Sequence, residues 1–311
     1  MNVLIVGAGA MGGLLGARLS RAATGLHLLD SDRRLVTAVR RAGLEVEELD
    51  GGRTRAEPAI TDRIEEVPAP IDLVVVMVKA AATHGAVASV LGRCHEQTLF
   101  LTLQNGIGHG PAIAALVGDA RLLLGTTAQG ATLLEPGRIR HGGNGTTHIG
   151  CLASAAVADA RRVVDLFNRA GLQAFFSERI EDRIWQKLLI NIGINAVTAL
   201  TAIPNGRVAS QANARALAER AVAEALAVAE RLGIQVGERV LERVLAVAEA
   251  TGTNRSSMLQ DLERKRATEI DAINGAIVRY GEDLGIPTPV NWTLTQLIKV
   301  IEHRQASEGD S

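Results

Sequence analysis

Aromatic side chains are scarce in this 311-residue chain: four Phe, two Trp and one Tyr make up 2% of it. Stacking platforms for single-stranded nucleic acid are therefore missing. An excess of either charge is missing too, since 33 Lys plus Arg nearly cancel 34 Asp plus Glu. That balance leaves no basic field for nucleic acid or for an anionic membrane. Only two cysteines occur, Cys94 and Cys151, far apart and outside any CxxC spacing. Neither a zinc site nor a disulfide framework is indicated, and a reduced cytoplasmic location fits. The seven histidines are scattered without an HxxxH pair, so no metal is expected. No apolar run reaches membrane-spanning length without a glycine or a charge, and no 20-to-50-residue repeat suggests a solenoid.

What is present has ordinary globular proportions, 47% hydrophobic and 22% charged, with length for about two domains. The opening VLIVGAGAMGGLLGARLSRA reads as a strand from Val3 to Val6, a glycine turn, and a helix from about Ala10. In a dinucleotide fingerprint Gly7 makes the tight turn, Gly9 admits the pyrophosphate, and Gly12 lets the helix pack on the sheet. Ala8, Ala10 and Met11 complete that turn, and helix-start amides would face the phosphates. A signal peptide is the competing reading of this apolar segment, but no basic stretch precedes it and glycines interrupt it. A second strand, Leu26 to Leu29, ends at Asp30, 18 residues after Gly12 and near the spacing of about 20 for an acid that bonds the ribose 2′-hydroxyl. Helix capping is the alternative role for Asp30, although Ser31 or Asp32 would serve equally.

Short β-like runs alternate with helical ones through the first half: VLIV, LHLL, IDLVVVMVKA, TLFLTLQNG and ARLLLGTTAQG. This alternation predicts a parallel sheet with helices on both faces. LEVEELDGGRTRAEPAI suggests a hairpin at the sheet's edge, and RIRHGGNGTTHIGC a second antiparallel excursion. From about Glu178 to Glu302 the period is helical, with breaks at 204–206, 233–237, 251–254 and 285–289. The tail QASEGDS is expected to fray. The alanine-rich stretch from Ala214 to Glu249 suits either a core or a homodimer contact.

Within WQKLLINIGINAVTAL, Lys187, Asn191 and Asn195 stand four residues apart. Steps of four put an amine and two carboxamides on one helical face, set to donate to a developing oxyanion and to hold hydroxyls beside it. A solvated stripe is the alternative, but such stripes in this chain use Arg and Glu, as in ERAVAEALAVAERLG. Lys79 follows a buried strand at the sheet edge where α/β proteins bind ligands, or it is a solvated lysine opening the next helix. Asn105 ends the next strand and is placed to bond nicotinamide ribose or substrate, while Asn-Gly alone is also a turn signal. Further on, Asn254, Ser256 and Ser257 are helix caps that would equally bind a carboxylate. Asp261, Lys265 and Glu269 fall at i, i+4 and i+8, the spacing of ion pairs on one helix face. Glu269 borders Ile270, Ile273 and Ile277, where a carboxylate would orient Lys187 or a substrate hydroxyl. A ligand site between the two domains is the expected meeting place of these features.

Over essentially its whole length the chain resembles the ketopantoate reductases, also called 2-dehydropantoate 2-reductases. The likeness lies in GAGAMG, Lys79, Q-N-G at 104–106, E-P-G at 135–137, the Lys187, Asn191, Asn195 ladder, P-N-G at 204–206, NRSSMLQD at 254–261 and TEIDAING at 268–275. The resemblance implies an α/β fold in which an N-terminal Rossmann-type, doubly wound, mostly parallel sheet (1–178) precedes an all-α substrate domain (179–311). It further implies reduction of a small 2-keto acid, 2-dehydropantoate to pantoate in pantothenate synthesis, by nicotinamide hydride. Lys187 then looks like the proton donor to the nascent alkoxide and Glu269 like its carboxylate partner. Asn191, Asn195 and Ser257 look like substrate ligands, with Asn205 and Asn254 as secondary candidates. Asn105 lies between substrate and cofactor, and Lys79 and Glu269 join the cofactor set.

One departure bears on the cofactor. The family usually has a basic residue after the second strand to meet the 2′-phosphate of NADPH, but here Asp30, Ser31 and Asp32 precede Arg33 and Arg34. NADH and NADPH both remain open. The rival functions are a related reductase of another 2-keto or 3-hydroxy acid and a nucleotide-binding protein without catalysis. A bare helical scaffold would leave GAGAMG unexplained.

Overall fold

The computed structural model describes residues 1–309. In chain order the first half comprises β1 (Asn2–Val6), α1 (Ala10–Leu19), β2 (Gly25–Leu29), α2 (Arg33–Ala42), β3 (Leu44–Glu47), β4 (Arg53–Ala56), β5 (Ala59–Thr61) and β6 (Ile71–Val76). It continues through α3 (Thr83–Val90), β7 (Cys94–Thr102), α4 (His109–Val117), β8 (Leu122–Thr127), β9 (Gly130–Glu135), β10 (Arg138–Gly143), β11 (Thr147–Gly150), α5 (Val157–Arg169) and β12 (Ala174–Phe176). The remainder is helical: α6 (Ile180–Thr201), α7 (Gly206–Ser210), α8 (Ala212–Arg231), α9 (Val240–Ala250), α10 (Ser257–Glu263), α11 (Asn274–Leu284) and α12 (Pro289–Gly309).

Two compact units emerge. One holds Met1–Gln104 with His109–Ile180, the other Asn105–Gly108 with the residues from Glu181 on. In the first unit an eight-stranded sheet runs β12-β11-β8-β7-β6-β1-β2-β5, and its pairings are parallel except where β11 meets β8. Apolar runs such as LVVV of β6, buried on both faces, are what a helix-covered parallel sheet requires. Leu4, Leu28, Leu73, Phe100 and Leu101 are fully buried. Each contributes roughly 1.5–3 kcal/mol by leaving water. The chain moves outward from β1 to β2 and β5, then returns to β6 on the other side of β1. The strand order therefore reverses at β1 and β6, the switch point at which such sheets bind ligands.

The expected hairpin forms, with β3 and β4 antiparallel, but not at the edge of the main sheet. It belongs to a separate four-stranded sheet, β4-β3-β10-β9, because β10 pairs in parallel with β3. The edge of the main sheet goes instead to β5, beside β2. Arg18 of α1 grips Glu48 through both carboxylate oxygens and tethers the small sheet to α1. The Arg18 guanidinium holds the Glu48 carboxyl down at about 2.

In the second unit the alanine face of α8, Ala214, Ala218, Ala221 and Ala225, enters a core shared with Leu189, Ile192 and Val197 of α6. The open choice between core and dimer contact for that face is thus resolved toward core. Asp261, Lys265 and Glu269 do not share a helix face. α10 stops at Glu263, where Lys265 turns left-handed (φ 52°) and the Arg266 and Lys265 amides bond the Asp261 and Leu262 carbonyls. This 6→1 and 5→2 pair closes the helix end, and local spacing carried no signal for it. The C-terminal segment is not frayed through its length either. α12 runs to Gly309, with Gln305 bonded to the Leu262 carbonyl, and the last two residues of QASEGDS lie outside the described residues. Among the described residues, no helix is long and apolar enough to cross a membrane.

The glycine turn is where this packing has least room. A Cβ on Gly12 would stand 1.8 Å from the Gly7 carbonyl oxygen. Gly12→Ala is expected to lower stability by about 1–3 kcal/mol, as overpacked sites do, seen as an earlier urea midpoint for the intact chain.

Candidate active site

β1 delivers the chain into the turn at the switch point, where Gly7 adopts φ 96° and donates its N–H to the Leu29 carbonyl of β2. The Gly12 approach to Gly7 brings α1 down onto the strand. At Gly9, the N-cap of α1, a Cβ would meet nothing within 4 Å, and no side chain caps the helix. The first turn of α1 contains no acid. Helix-start amides with open space before Gly9 and no acid in the helix's own first turn suit a pyrophosphate, so the turn fits a dinucleotide.

Asp30 reaches this turn. Its Oδ2 accepts the Ala8 N–H at 2.6 Å and its Oδ1 the Asp32 N–H at 2.9 Å. Asp32, not Asp30, caps α2, accepting from the Arg34 and Leu35 amides. Lys79 is exposed, three residues past the end of β6, at the start of a short 3-10 turn (Ala80–Ala82). Gln104 anchors the end of β7: its Nε2 donates to the Val78 carbonyl and the Thr83 hydroxyl, and its Oε1 accepts from Thr102. The Gln of the Q-N-G motif is therefore structural.

In the helical unit, Lys187, Asn105 and Glu269 meet. The Lys187 ammonium donates to Asn105 Oδ1 at 2.7 Å, and Asn105 Nδ2 donates to Glu269 Oε2 at 3.0 Å. Only one orientation of the amide satisfies both neighbours, since an ammonium must donate and a carboxylate must accept. Burial of the amine pushes Lys187 down to about 8, and the Glu269 carboxylate opposes that shift. A lysine in that range is charged at neutral pH yet ready to release its proton.

Three local features hold Asn105 there. Gly106 takes φ 87°, and a Cβ on it would lie 2.3 Å from the Ala272 carbonyl oxygen. The Ile107 N–H donates to that same oxygen at 2.9 Å. Glu269 opens the 3-10 turn Ile270–Ala272, so one backbone segment supplies both the carboxylate and the docking carbonyl. The Asn-Gly pair is thus more than a turn signal.

α6 carries the ladder, with Lys187 and Asn191 partly buried and Asn195 buried. Eleven residues beyond Lys187, three turns on, Thr198 returns to the same face and is fully buried. Its hydroxyl lies 2.7 Å from that of Ser256, which caps α10 by accepting the Leu259 N–H. Thr198 escaped the sequence reading because a threonine in an apolar helix gives no signal until its partner is known. Ser256, rather than Ser257 or Asn254, is the cap; the latter two are exposed. Asn205 is buried in a turn, where its Nδ2 bonds the Thr251 hydroxyl and its N–H the Asn254 carbonyl. That is a scaffold role, and the buried Asn205 Oδ1 accepts no hydrogen bond. Among the described residues no group of three or more His, Cys, Asp or Glu is placed to hold a metal.

A switch-point glycine turn in a Rossmann-type sheet, followed by a helical unit with a lysine-amide-carboxylate cluster, defines a two-part α/β plus all-α class. The chain belongs to the ketopantoate reductase family: the family model "Ketopantoate reductase PanE/ApbA" matches residues 3–154 and its C-terminal counterpart residues 179–302. A 2-dehydropantoate 2-reductase of Halobacterium salinarum is 38% identical over 303 residues, 97% of this chain and 99% of its own. One from Archaeoglobus fulgidus is 34% identical, covering 97% and 98%. Among solved structures, D-mandelate dehydrogenase with NADH and anilino(oxo)acetate superposes with a TM-score of 0.91 at 29% identity, covering 98% and 100%. A PanE/ApbA family ketopantoate reductase from Ralstonia eutropha gives 0.90 at 30% identity, also covering 98% and 100%.

Thr198→Val removes a buried hydroxyl from Ser256 and is expected to destabilise the chain by about 1–3 kcal/mol in urea unfolding, whereas Thr198→Ser should restore most of it.

Proposed function

We propose that this protein is an NAD(P)H-dependent reductase of a 2-keto acid, and that its substrate is 2-dehydropantoate, reduced to pantoate in pantothenate synthesis. The observation that carries the reading is the Lys187 ammonium held by Asn105, with Glu269 behind it. A nicotinamide nucleotide, held by the backbone of the Gly7–Gly12 turn, would supply hydride chemistry for the keto carbon. Negative charge then grows on the carbonyl oxygen, and the Lys187 ammonium both neutralises it and transfers a proton to it. Asn105 fixes the direction of the Nζ, and Glu269 fixes Asn105 and keeps the amine protonated against the effect of burial. Asn191 and Asn195, on the same face of α6, bind the substrate hydroxyl, and Ser257 its carboxylate. Lys79 stands on the cofactor side.

The named relatives support the substrate: the Halobacterium and Archaeoglobus proteins are called 2-dehydropantoate 2-reductases. A second reading has its own support. D-mandelate dehydrogenase superposes as well as a ketopantoate reductase does, which favours an aryl 2-keto acid as the alternative substrate. Loss of nicotinamide absorbance with 2-dehydropantoate and with phenylglyoxylate, in parallel, separates them. Faster turnover of 2-dehydropantoate is expected, and preference for the aryl acid overturns that assignment. Nucleotide binding with no turnover of any keto acid would leave a non-catalytic binding protein.

Lys187→Ala is expected to lower kcat roughly 10²- to 10⁴-fold, the range for a positioned acid; near-normal turnover removes the lysine from the mechanism. Because Lys187 titrates at about 8 and its proton is consumed in reduction, kcat/KM should be level below that pH and fall as pH rises through it. A profile flat to pH 10 would contradict the role.

A further inference from the structure

We infer that Asp30 makes the nucleotide site selective for a cofactor with a free ribose 2′-hydroxyl, NADH over NADPH. The inference rests on the glycine turn being a dinucleotide site and extends it to the adenosine end. Asp30 directly follows β2, and its backbone N–H bonds the Thr61 carbonyl of β5, so its Cα is fixed by the sheet edge. Its carboxylate is fixed as well: the Ala8 and Asp32 amides each hold one oxygen, at 2.6 and 2.9 Å. One of those amides belongs to the turn that faces the pyrophosphate. The acid is therefore fixed relative to the glycine turn and cannot swing away without breaking two hydrogen bonds.

A carboxylate in that position only accepts. Ribose hydroxyls can donate to the lone pairs that the two amides leave free. A 2′-phosphate has no such donor to offer when fully ionised, and it adds charge of the same sign. Helix capping does not explain Asp30, because Asp32 already caps α2. Of the two arginines that follow, Arg33 lies 3.2 Å from Asp62 with its side chain 88% exposed, and Arg34 is exposed.

The test is equilibrium binding of NADH and of NADPH to the purified full-length chain, read by nucleotide fluorescence without any keto acid. NADH is expected to bind roughly tenfold or more tightly than NADPH, as like-charge juxtaposition demands. In Asp30→Asn and Asp30→Ser the ratio should shrink, chiefly through tighter NADPH. Equal or tighter NADPH binding by the unaltered protein overturns the inference and leaves the dinucleotide reading standing. Binding of neither nucleotide overturns both. The wild-type ratio decides even if a variant fails to fold, and a folded variant with an unchanged ratio removes Asp30 as the determinant.

Discussion

The Asn105 carboxamide is the piece on which the helical unit's polar chemistry depends. It lies between an ammonium and a carboxylate, accepting from the first and donating to the second. Burying an unpartnered lysine would drive it neutral, and pairing it directly with a carboxylate would hold its proton more firmly. With the amide between them, burial lowers the amine to about 8 while the Glu269 carboxylate opposes that shift. The constraint propagates outward. Asn105 is placed by Gly106 pressing on Ala272, and Ala272 closes the 3-10 turn that Glu269 begins. A side chain at position 106 would disturb both ends of the bridge.

The sheet unit is organised by a comparable economy of space. At the switch point, Gly7, Gly9 and Gly12 bring backbone rather than side chains to the end of β1, and α1 begins there with its amides uncapped. Asp30 closes the arrangement from β2 by accepting the Ala8 N–H. A hydrogen bond from the turn to the end of β2 couples two segments that propensity alone would treat as independent. Ala8 thus matters through its backbone, which any small residue would provide, and Asp30 through its side chain.

Much of this was legible in the chain. Strand-turn-helix order around GAGAMG, the alternation of the first half and the helical period of the second all have local causes, so they could be read residue by residue. The four-residue steps of Lys187, Asn191 and Asn195 needed only the geometry of one helix. What was not legible depended on distant pairing. The hairpin of β3 and β4 was visible, but its sheet was set by β10, over 80 residues later in the chain. Thr198 resembled filler until Ser256 stood opposite it. Glu269 was placed on a continuous helix face because spacing cannot register a left-handed turn at Lys265.

By itself the sequence determined which segments are strands and helices, that a nucleotide-type glycine turn opens the chain, and that amine and amide groups share a face of α6. These follow from short-range sterics and periodicity. Only the tertiary structure decided that Asn105, Lys187 and Glu269 form one hydrogen-bonded chain, that Asp32 and not Asp30 caps α2, and that Gln104 and Asn205 hold turns. A side chain's partners are chosen by whatever the folded backbone brings within about 3 Å, and residues 82 and 164 positions apart leave no periodic trace of that meeting.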